Sequence, residues 1–289
     1  MKYNILSILP VYNEEEYLKQ WFINAKRYCN HIIAYDDGST DKSLEILQAN
    51  LPKENIIHND INEHNMESYH HRDMWTNFRE NSIKPDWIAC NGADELLPDY
   101  PEFIQDLEAI IDHAEEDKCE VILWYHAELW FHPHWYRTDA YFSQVPFARL
   151  LKYHPDAQFS EKQLVDHAHC VTFPDYYTQK DIRKMVVLPE KMMTLHYGYM
   201  DQKRIIDRFE RMAKHYEMNK FGTNFIYLNW IRGVDLRDIE LKHLPHKWVD
   251  CQGCSLPDIR KLGECLLPKD NPYIKYFHQF KMRRYIEKL

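Results

Sequence analysis

Along the first hundred residues, short apolar runs alternate with stretches in which apolar residues recur at helical spacing. Tyr3 to Leu9 is a continuous apolar run ending at Pro10, as expected of a strand buried on both faces. Tyr17, Leu18, Trp21, Phe22, Ala25 and Tyr28 then fall on one helical face. His31 to Tyr35 reads as a second strand. The turn Asp36-Asp37-Gly38-Ser39-Thr40-Asp41 follows, and its last members can cap a helix carrying Leu44, Ile46 and Leu47. A short strand at Ile56 and Ile57, a mixed segment around Arg72, and a strand from Trp87 to Cys90 that stops at Asn91-Gly92 come next. Phe103, Leu107, Ile110, Ile111 and Ala114 form an amphipathic helix, and Glu120 to Tyr125 another buried strand. This order predicts a parallel sheet covered by crossover helices.

From about Ala127 to Leu195 the pattern is less regular and rich in aromatics and histidines, which predicts antiparallel strands and loops over the carboxyl edge of the sheet. Gln202 to Asn219 is strongly helical. The remainder reads as one or two further helices interrupted by Pro245, Pro257 and Pro268. Neither an internal repeat nor a linker stands out.

Composition narrows the class. The chain has 289 residues, 45% hydrophobic and 28% charged, enough to bury a substantial core and too apolar for a disordered chain. Glycine is scarce at 7 residues while aromatics reach 14%, the profile of a dense interior. With 36 basic and 45 acidic residues the formal charge is −9, which argues against a nucleic-acid partner. The longest apolar stretches, Ile5 to Val11 and Val121 to Tyr125, fall far short of the roughly 20 residues of a membrane span. No secretory leader pattern opens the chain, and its seven cysteines are odd in number and thinly spread. These features predict a soluble, cytoplasmic protein without a membrane span.

In an open α/β sheet the ligand crevice lies beyond the carboxyl ends of the strands. Three polar clusters follow strands here: Pro10-Val11-Tyr12-Asn13-Glu14, Asp36-Asp37-Gly38-Ser39, and Asn91-Gly92-Ala93-Asp94-Glu95. Each alone is also an ordinary turn or helix cap. Together, in the runs ILPVYNEEEYL, IIAYDDGSTDKSLEIL and WIACNGADELL, they resemble family 2 of the nucleotide-sugar glycosyltransferases over residues 3 to 97.

That resemblance implies a GT-A, Rossmann-like fold: a mixed, mainly parallel sheet flanked by helices, with a helical C-terminal extension. It implies a GT-A-like domain over residues 1–200, with a nucleotide-binding half at 1–125 and an acceptor half at 126–200, and the extension at 201–289. The nucleoside would be held by Pro10, Val11, Tyr12 and Glu14 with Asp36 and Asp37, since a carboxylate accepts base N–H or ribose O–H donors well. Arg72, in His71-Arg72-Asp73, falls where the family often has Ala-Arg-Asn. It would contact the diphosphate by charge-assisted bonds or serve as an exposed helix arginine. The family's Asp-x-Asp motif reads Gly92-Ala93-Asp94 in this chain, so its first acid is missing. Asp94 becomes the metal ligand, Glu95 a helper, and Ala93 a backbone neighbour of the nucleotide. Mn²⁺ or Mg²⁺ suits carboxylates and phosphates and would neutralise the leaving nucleoside diphosphate. His196, in Thr194-Leu195-His196-Tyr197-Gly198-Tyr199, matches a string relatives often carry and is a further metal or diphosphate ligand; the following helix bears Lys203, Arg204, Arg208 and Arg211, facing phosphate or solvent.

An inverting transferase needs a base to take the acceptor's hydroxyl proton. In Leu164-Val165-Asp166-His167-Ala168-His169, strand alternation would put Asp166 opposite His167 and His169; Asp166 is the first choice of base, with the two histidines as rivals. His-x-His also reads as a metal pair or as exposed strand residues. Trp130 and Trp135 are candidates to line an acceptor cleft, in a stretch whose other aromatics read as core. Cys251-x-x-Cys254 with Cys265 and His243 or His246 has a structural-zinc alternative to free thiols.

The resulting expectation is an inverting, metal-dependent glycosyltransferase acting by direct displacement. It would move a sugar from a nucleoside diphosphate donor, UDP first among them, to a hydroxyl of a glycan, lipid or protein. The alternatives are a metal-dependent phosphoesterase built from Asp94 and the His-x-His pair, and a non-catalytic nucleotide-sugar or glycan-binding protein of the same fold.

Overall fold

The computed structural model describes residues 1–60, 67–139, 141–166, 173–219, 236, 239–249 and 265–272. His167, His169, Pro257 and the Cys251-x-x-Cys254 pair lie outside the described residues. Two compact units form, each from two chain segments. The first takes Met1–Trp124 and Phe147–Thr194, the second Tyr125–Pro146 and Leu195–Leu289.

The first unit opens with β1 (Ile5–Val11), α1 (Glu15–Ala25), β2 (His31–Asp37), α2 (Ser43–Asn50) and β3 (Ile56–Asn59). Then come α3 (Glu67–Glu80), β4 (Trp87–Cys90), β5 (Glu95–Leu96), α4 (Phe103–Glu116) and the start of β6 (Val121–Trp130). β1 pairs in parallel with both β2 and β4, and β2 in parallel with β3. The residues between these strands form helices whose apolar stripes cover the sheet. In α1, Leu18, Trp21, Phe22 and Ala25 are buried while Glu15 and Glu16 occupy the first turn, where the helix dipole favours acids. In α4, Phe103, Leu107, Ile111 and Ala114 make the same one-sided stripe.

The segment around Arg72, mixed in its sequence pattern, is a helix. Met74, Trp75 and Phe78 on α3 join Leu6, Ile8, Ile33, Tyr35 and Ile88 from the sheet in one apolar cluster. α3 hides its periodicity because its first turns bury polar side chains, Ser68, His70 and His71, where a hydrophobic scale expects apolar ones.

Within chain segments 125–146 and 195–289, β7 (Trp135–Arg137) pairs antiparallel with Glu128 and Leu129 of β6, and β11 (Leu241–His243) pairs antiparallel with β7. A single turn, α5 (Tyr141–Gln144), follows β7. Back in the first unit, β8 (Phe147–Lys152) runs antiparallel to both β4 and the first half of β6, and β9 (Lys184–Val186) runs parallel to Val121–Leu123. The sheet is therefore mixed and mainly parallel on its β1 side. Between β8 and β9 lies α6 (Glu161–Asp166). This overturns one expectation: the stretch from Leu164 to Asp166 ends a helix instead of alternating as a strand, so the alternation that separated Asp166 from its neighbours does not apply.

β10 (Met193–Tyr199) precedes α7 (Gln202–Asn219). The α7 residues Ile205, Phe209 and Ala213 pack with Trp130, Tyr199, Leu236, Leu266 and Leu267 into the core of the second unit. Among the described residues no helix is long and apolar enough to cross a membrane. Cys29, Cys90 and Cys119 are free thiols. Burial pushes the Cys90 thiol up to about 12.

Candidate active site

The carboxyl ends of β1 and β2 are stitched together by side chains reaching across from one loop to the other. Asn13 adopts a left-handed backbone, φ 53°, which asparagine tolerates better than most residues. Its N–H donates to Ser39 Oγ at 3.0 Å and its Oδ1 accepts from the Thr40 N–H at 2.8 Å. The Glu14 N–H donates to Ser43 Oγ at 2.8 Å, and the Glu15 N–H to Asp41 Oδ2 at 3.1 Å. In return the Lys42 N–H donates to Glu15 Oε2 at 3.0 Å. The polar run after each strand thus satisfies the other's backbone donors, and the loop is preorganised. Pro10, Tyr12 and Glu14 are half-buried on it, and Val11 is buried.

The acid pair closes β2. Asp36 is fully buried; its Oδ2 lies 2.8 Å from His58 Nδ1 and accepts from the Ser39 N–H at 3.4 Å. His58 faces it because β2 and β3 pair in register, Asp36 opposite His58. On its other side His58 meets Asp60, 2.9 Å from Nε2. Asp37 is 6% exposed and lies 3.5 Å from His70 Nε2. His70 is stacked on Tyr35, centroids 4.1 Å apart. Burial, with the neighbouring charge of His71 adding to it, pulls the His70 imidazole down to about 4, so it is neutral at pH 7. Composition and pattern gave no hint of His58 or His70; the signal that finds them is strand register in one case and helix phase in the other.

Arg72, on the same helix, has Nη2 2.7 Å from Asp73 Oδ1 and its guanidinium 4.9 Å from the Tyr69 ring. It is half-buried.

Beyond β4 the chain turns tightly, the Glu95 N–H donating to the Gly92 carbonyl at 3.1 Å. Glu95 is committed to this turn. It accepts from the Gly92 N–H at 2.8 Å and pairs with Arg149 at 2.6 Å, while Arg149 also donates to the Cys90 carbonyl at 3.0 Å. Ala93 and Asp94 are buried in the same turn. A Cβ at Gly92 would stand 3.2 Å from Asp94 Oδ1, so a side chain there would press on that carboxylate.

In the second unit His196 is buried on β10, with Nδ1 2.6 Å from Glu128 Oε2; Glu128 Oε1 is 3.4 Å from His126 Nδ1. Burial pushes the Glu128 carboxyl up, but His196 first and then His126 outweigh it and hold the group at about 2. Arg208 Nη1 lies 3.1 Å from His196 Nε2. A Cβ at Gly198 would stand 2.1 Å from this Arg208 nitrogen and 2.7 Å from His196 Nε2, so a side chain there would displace the guanidinium from its present place.

Trp130, expected at an acceptor cleft, is 1% exposed, its ring stacked on Tyr199 at 5.0 Å and covered by Arg137 at 4.7 Å. It is a core residue of its unit, the place a large aromatic takes when apolar faces enclose it. Trp135 is half-buried, its ring 5.2 Å from His243.

Residues 7–70, the stretch holding the stitched loops and the acid pair, match the model of one family, Glycosyl transferase family 2. Over that stretch the chain resembles family 2. No curated protein matches. Among solved structures, S. aureus TarS is 11% identical with a TM-score of 0.43, covering 80% of this chain and 48% of its own. The chain thus spans about half the length of TarS. A TarS fragment, 1-349, is 14% identical with a TM-score of 0.39 over 80% of this chain and 78% of its own. Glucosyl-3-phosphoglycerate synthase from Mycobacterium tuberculosis, in complex with Mn²⁺ and UDP-glucose, is 13% identical with a TM-score of 0.37 over 84% and 87%.

Proposed function

We propose that the chain is a glycosyltransferase that moves a sugar from a nucleoside diphosphate, UDP first among donors, to a hydroxyl of a glycan, lipid or protein, with inversion. The observation that carries the reading is the buried Asp36-Asp37 pair at the end of β2, inside the stretch that matches family 2 and wired to the β1 loop.

In this reading Asp37 accepts an N–H of the base or a ribose hydroxyl, with neutral His70 beside it, and Asp36 positions the turn through Ser39 and His58. Pro10, Val11, Tyr12 and Glu14 form the wall against which the nucleoside lies, and Ala93 lends backbone. Asp94, buried in the β4 turn, is the acid that holds Mn²⁺ or Mg²⁺, with Glu95 beside it paired to Arg149. One carboxylate with diphosphate oxygens and water suits a hard cation of that kind. Such an ion, when bound, offsets charge on the departing diphosphate. Arg72 adds charge-assisted bonds to the same group. The base that takes the acceptor's proton is sought among Asp166, His167 and His169, and the accessible acceptor aromatic is Trp135.

The test is calorimetric titration of the whole chain with UDP, GDP, CDP and their sugar conjugates, with and without Mn²⁺. Mn²⁺-dependent binding of one nucleotide, weakened about tenfold or more (~1.4 kcal/mol) by Asp94→Asn, supports the donor site. Absence of binding across the panel overturns it. Release of phosphate from simple esters without an acceptor would favour the phosphoesterase instead.

A further inference from the structure

β8 reads Phe-Ala-Arg-Leu-Leu-Lys, an apolar strand with a buried arginine inside it. Charged side chains are almost never buried unless something holds them. Strand register supplies the partner. Leu151 lies opposite Ile88 and Leu150 opposite Ala89, so Arg149, one residue further, reaches the end of β4. There its Nη1 donates to the Cys90 carbonyl at 3.0 Å and to Glu95 Oε2 at 2.6 Å, and its Nη2 to Glu95 Oε1 at 3.4 Å. The same Oε2 accepts from the Gly92 N–H at 2.8 Å. One guanidinium and one carboxylate therefore tie down the turn from Cys90 to Glu95, with Asp94 inside it. We propose that Arg149 is a positioning residue of the donor site: through Glu95 it sets where the Asp94 carboxylate stands. The inference rests on the reading of Asp94 as the ligand of a divalent ion.

Stability alone does not account for the pair. Its side chains are 6% and 12% exposed, and two charges taken out of water lose in desolvation much of what they gain by attraction. Replacing both partners of such a pair by neutral groups is often harmless. The Nε of Arg149 is buried as well, without a hydrogen bond among the described residues, a cost that an apolar side chain would avoid. What the pair does supply is geometry, because a planar fork meets a carboxylate in few orientations. Gly92 shows how little room the turn leaves. Its φ lies outside the left-handed region, so contact and not backbone strain decides what fits there. A Cβ would stand 3.2 Å from Asp94 Oδ1 and 3.5 Å from both Cγ and Cδ of Glu95. With Glu95 fixed by Arg149, a side chain at position 92 would push on the Asp94 carboxylate. A hard divalent ion with near-ideal coordination demands feels such a displacement.

The experiment is calorimetric titration of the whole chain with UDP, GDP and CDP, each with and without Mn²⁺. Wild type is compared with Gly92→Ala and with the double variant Arg149→Met, Glu95→Gln, and thermal unfolding is recorded for each. The double variant is expected to melt near wild type, while the enhancement of nucleotide binding by Mn²⁺ falls about tenfold, the usual scale for losing a group that orients a metal ligand. Gly92→Ala, which keeps both charges, is expected to lose enhancement in the same direction, and binding without Mn²⁺ should stay within about twofold in both. A pair that served only the fold would let the enhancement return together with the melting temperature. Wild-type enhancement in the double variant and in Gly92→Ala therefore overturns the inference, as does an equal loss of binding with and without Mn²⁺. If the double variant does not fold, Gly92→Ala decides: unchanged enhancement overturns the inference and a selective loss of the Mn²⁺ effect supports it. Failure of the donor reading looks different, since wild type itself would then show no Mn²⁺-dependent binding, and this inference would fall with it.

Discussion

A histidine buried without its proton costs the folded state nothing at neutral pH and a good deal in acid. His70 titrates at about 4 in the fold against an ordinary 6.5, because burial disfavours the charged ring. Between those values the unfolded chain binds the extra proton and the folded one does not. Stability is therefore complete above about pH 6.5, declines as pH falls through the window, and levels off below about 4. Urea unfolding at pH 7, 5.5 and 4.5 should show wild type losing on the order of 2–3 kcal/mol more than His70→Gln across this range. Parallel losses in the two proteins would refute the assignment. Arg149 supplies a second residue-scale test, since it is buried and pairs with Glu95 at 2.6 Å. Arg149→Met strands that carboxylate and should cost about 3 kcal/mol, of which adding Glu95→Gln should recover a large part. If thermal unfolding of the double variant shows no recovery, the pair is not what the arginine stabilises. Glu95 also marks where sequence reading ran out: its partner Arg149 lies 54 positions away, and no local pattern pairs the two.

At the scale of elements, the strands and helices up to α4 were legible because each buries one continuous run or one stripe, and periodicity reports that directly. α3 was not, for its buried face begins with Ser68, His70 and His71. The stretch Leu164–Asp166 reads as strand for the opposite reason: three residues of apparent alternation are too few to tell a strand from part of a short helix such as α6. The stitched loops after β1 and β2 were visible only as polar clusters; their cross-bonding depends on a parallel register, Val11 opposite Asp36, that no single segment encodes. Asn13 is the keystone, through its left-handed backbone and its bond to the Thr40 N–H. Asn13→Ala should lose about 1–2 kcal/mol, Asn13→Gly less, since glycine keeps the backbone conformation while losing the acceptor. Denaturant midpoints check that order, and equal losses in both variants would put the whole effect on the hydrogen bond.

For the whole molecule, the two units draw on interleaved segments of one chain. Ile205, Phe209 and Ala213 of α7 cover Trp130 and Tyr199, which arrive from β6 and β10. A chain stopped after Met200 should therefore expose those aromatics, bind the dye ANS strongly and associate on size-exclusion chromatography. A monomeric, dye-silent truncation would contradict this. The pattern of the sequence could not anticipate the interleaving, because hydrophobic periodicity locates elements and says nothing of which distant element each will meet.

That interleaving bears on how the chain can be divided. β6 serves the first unit through Val121–Trp124 and the second from Tyr125 onward, and the first unit resumes at Phe147. No single cut of the backbone can therefore release either unit whole. Separating them takes three breaks, one inside β6 and one inside β10. Two fragments made by any one break are accordingly expected to fold only when mixed, each lacking part of a unit that the other carries.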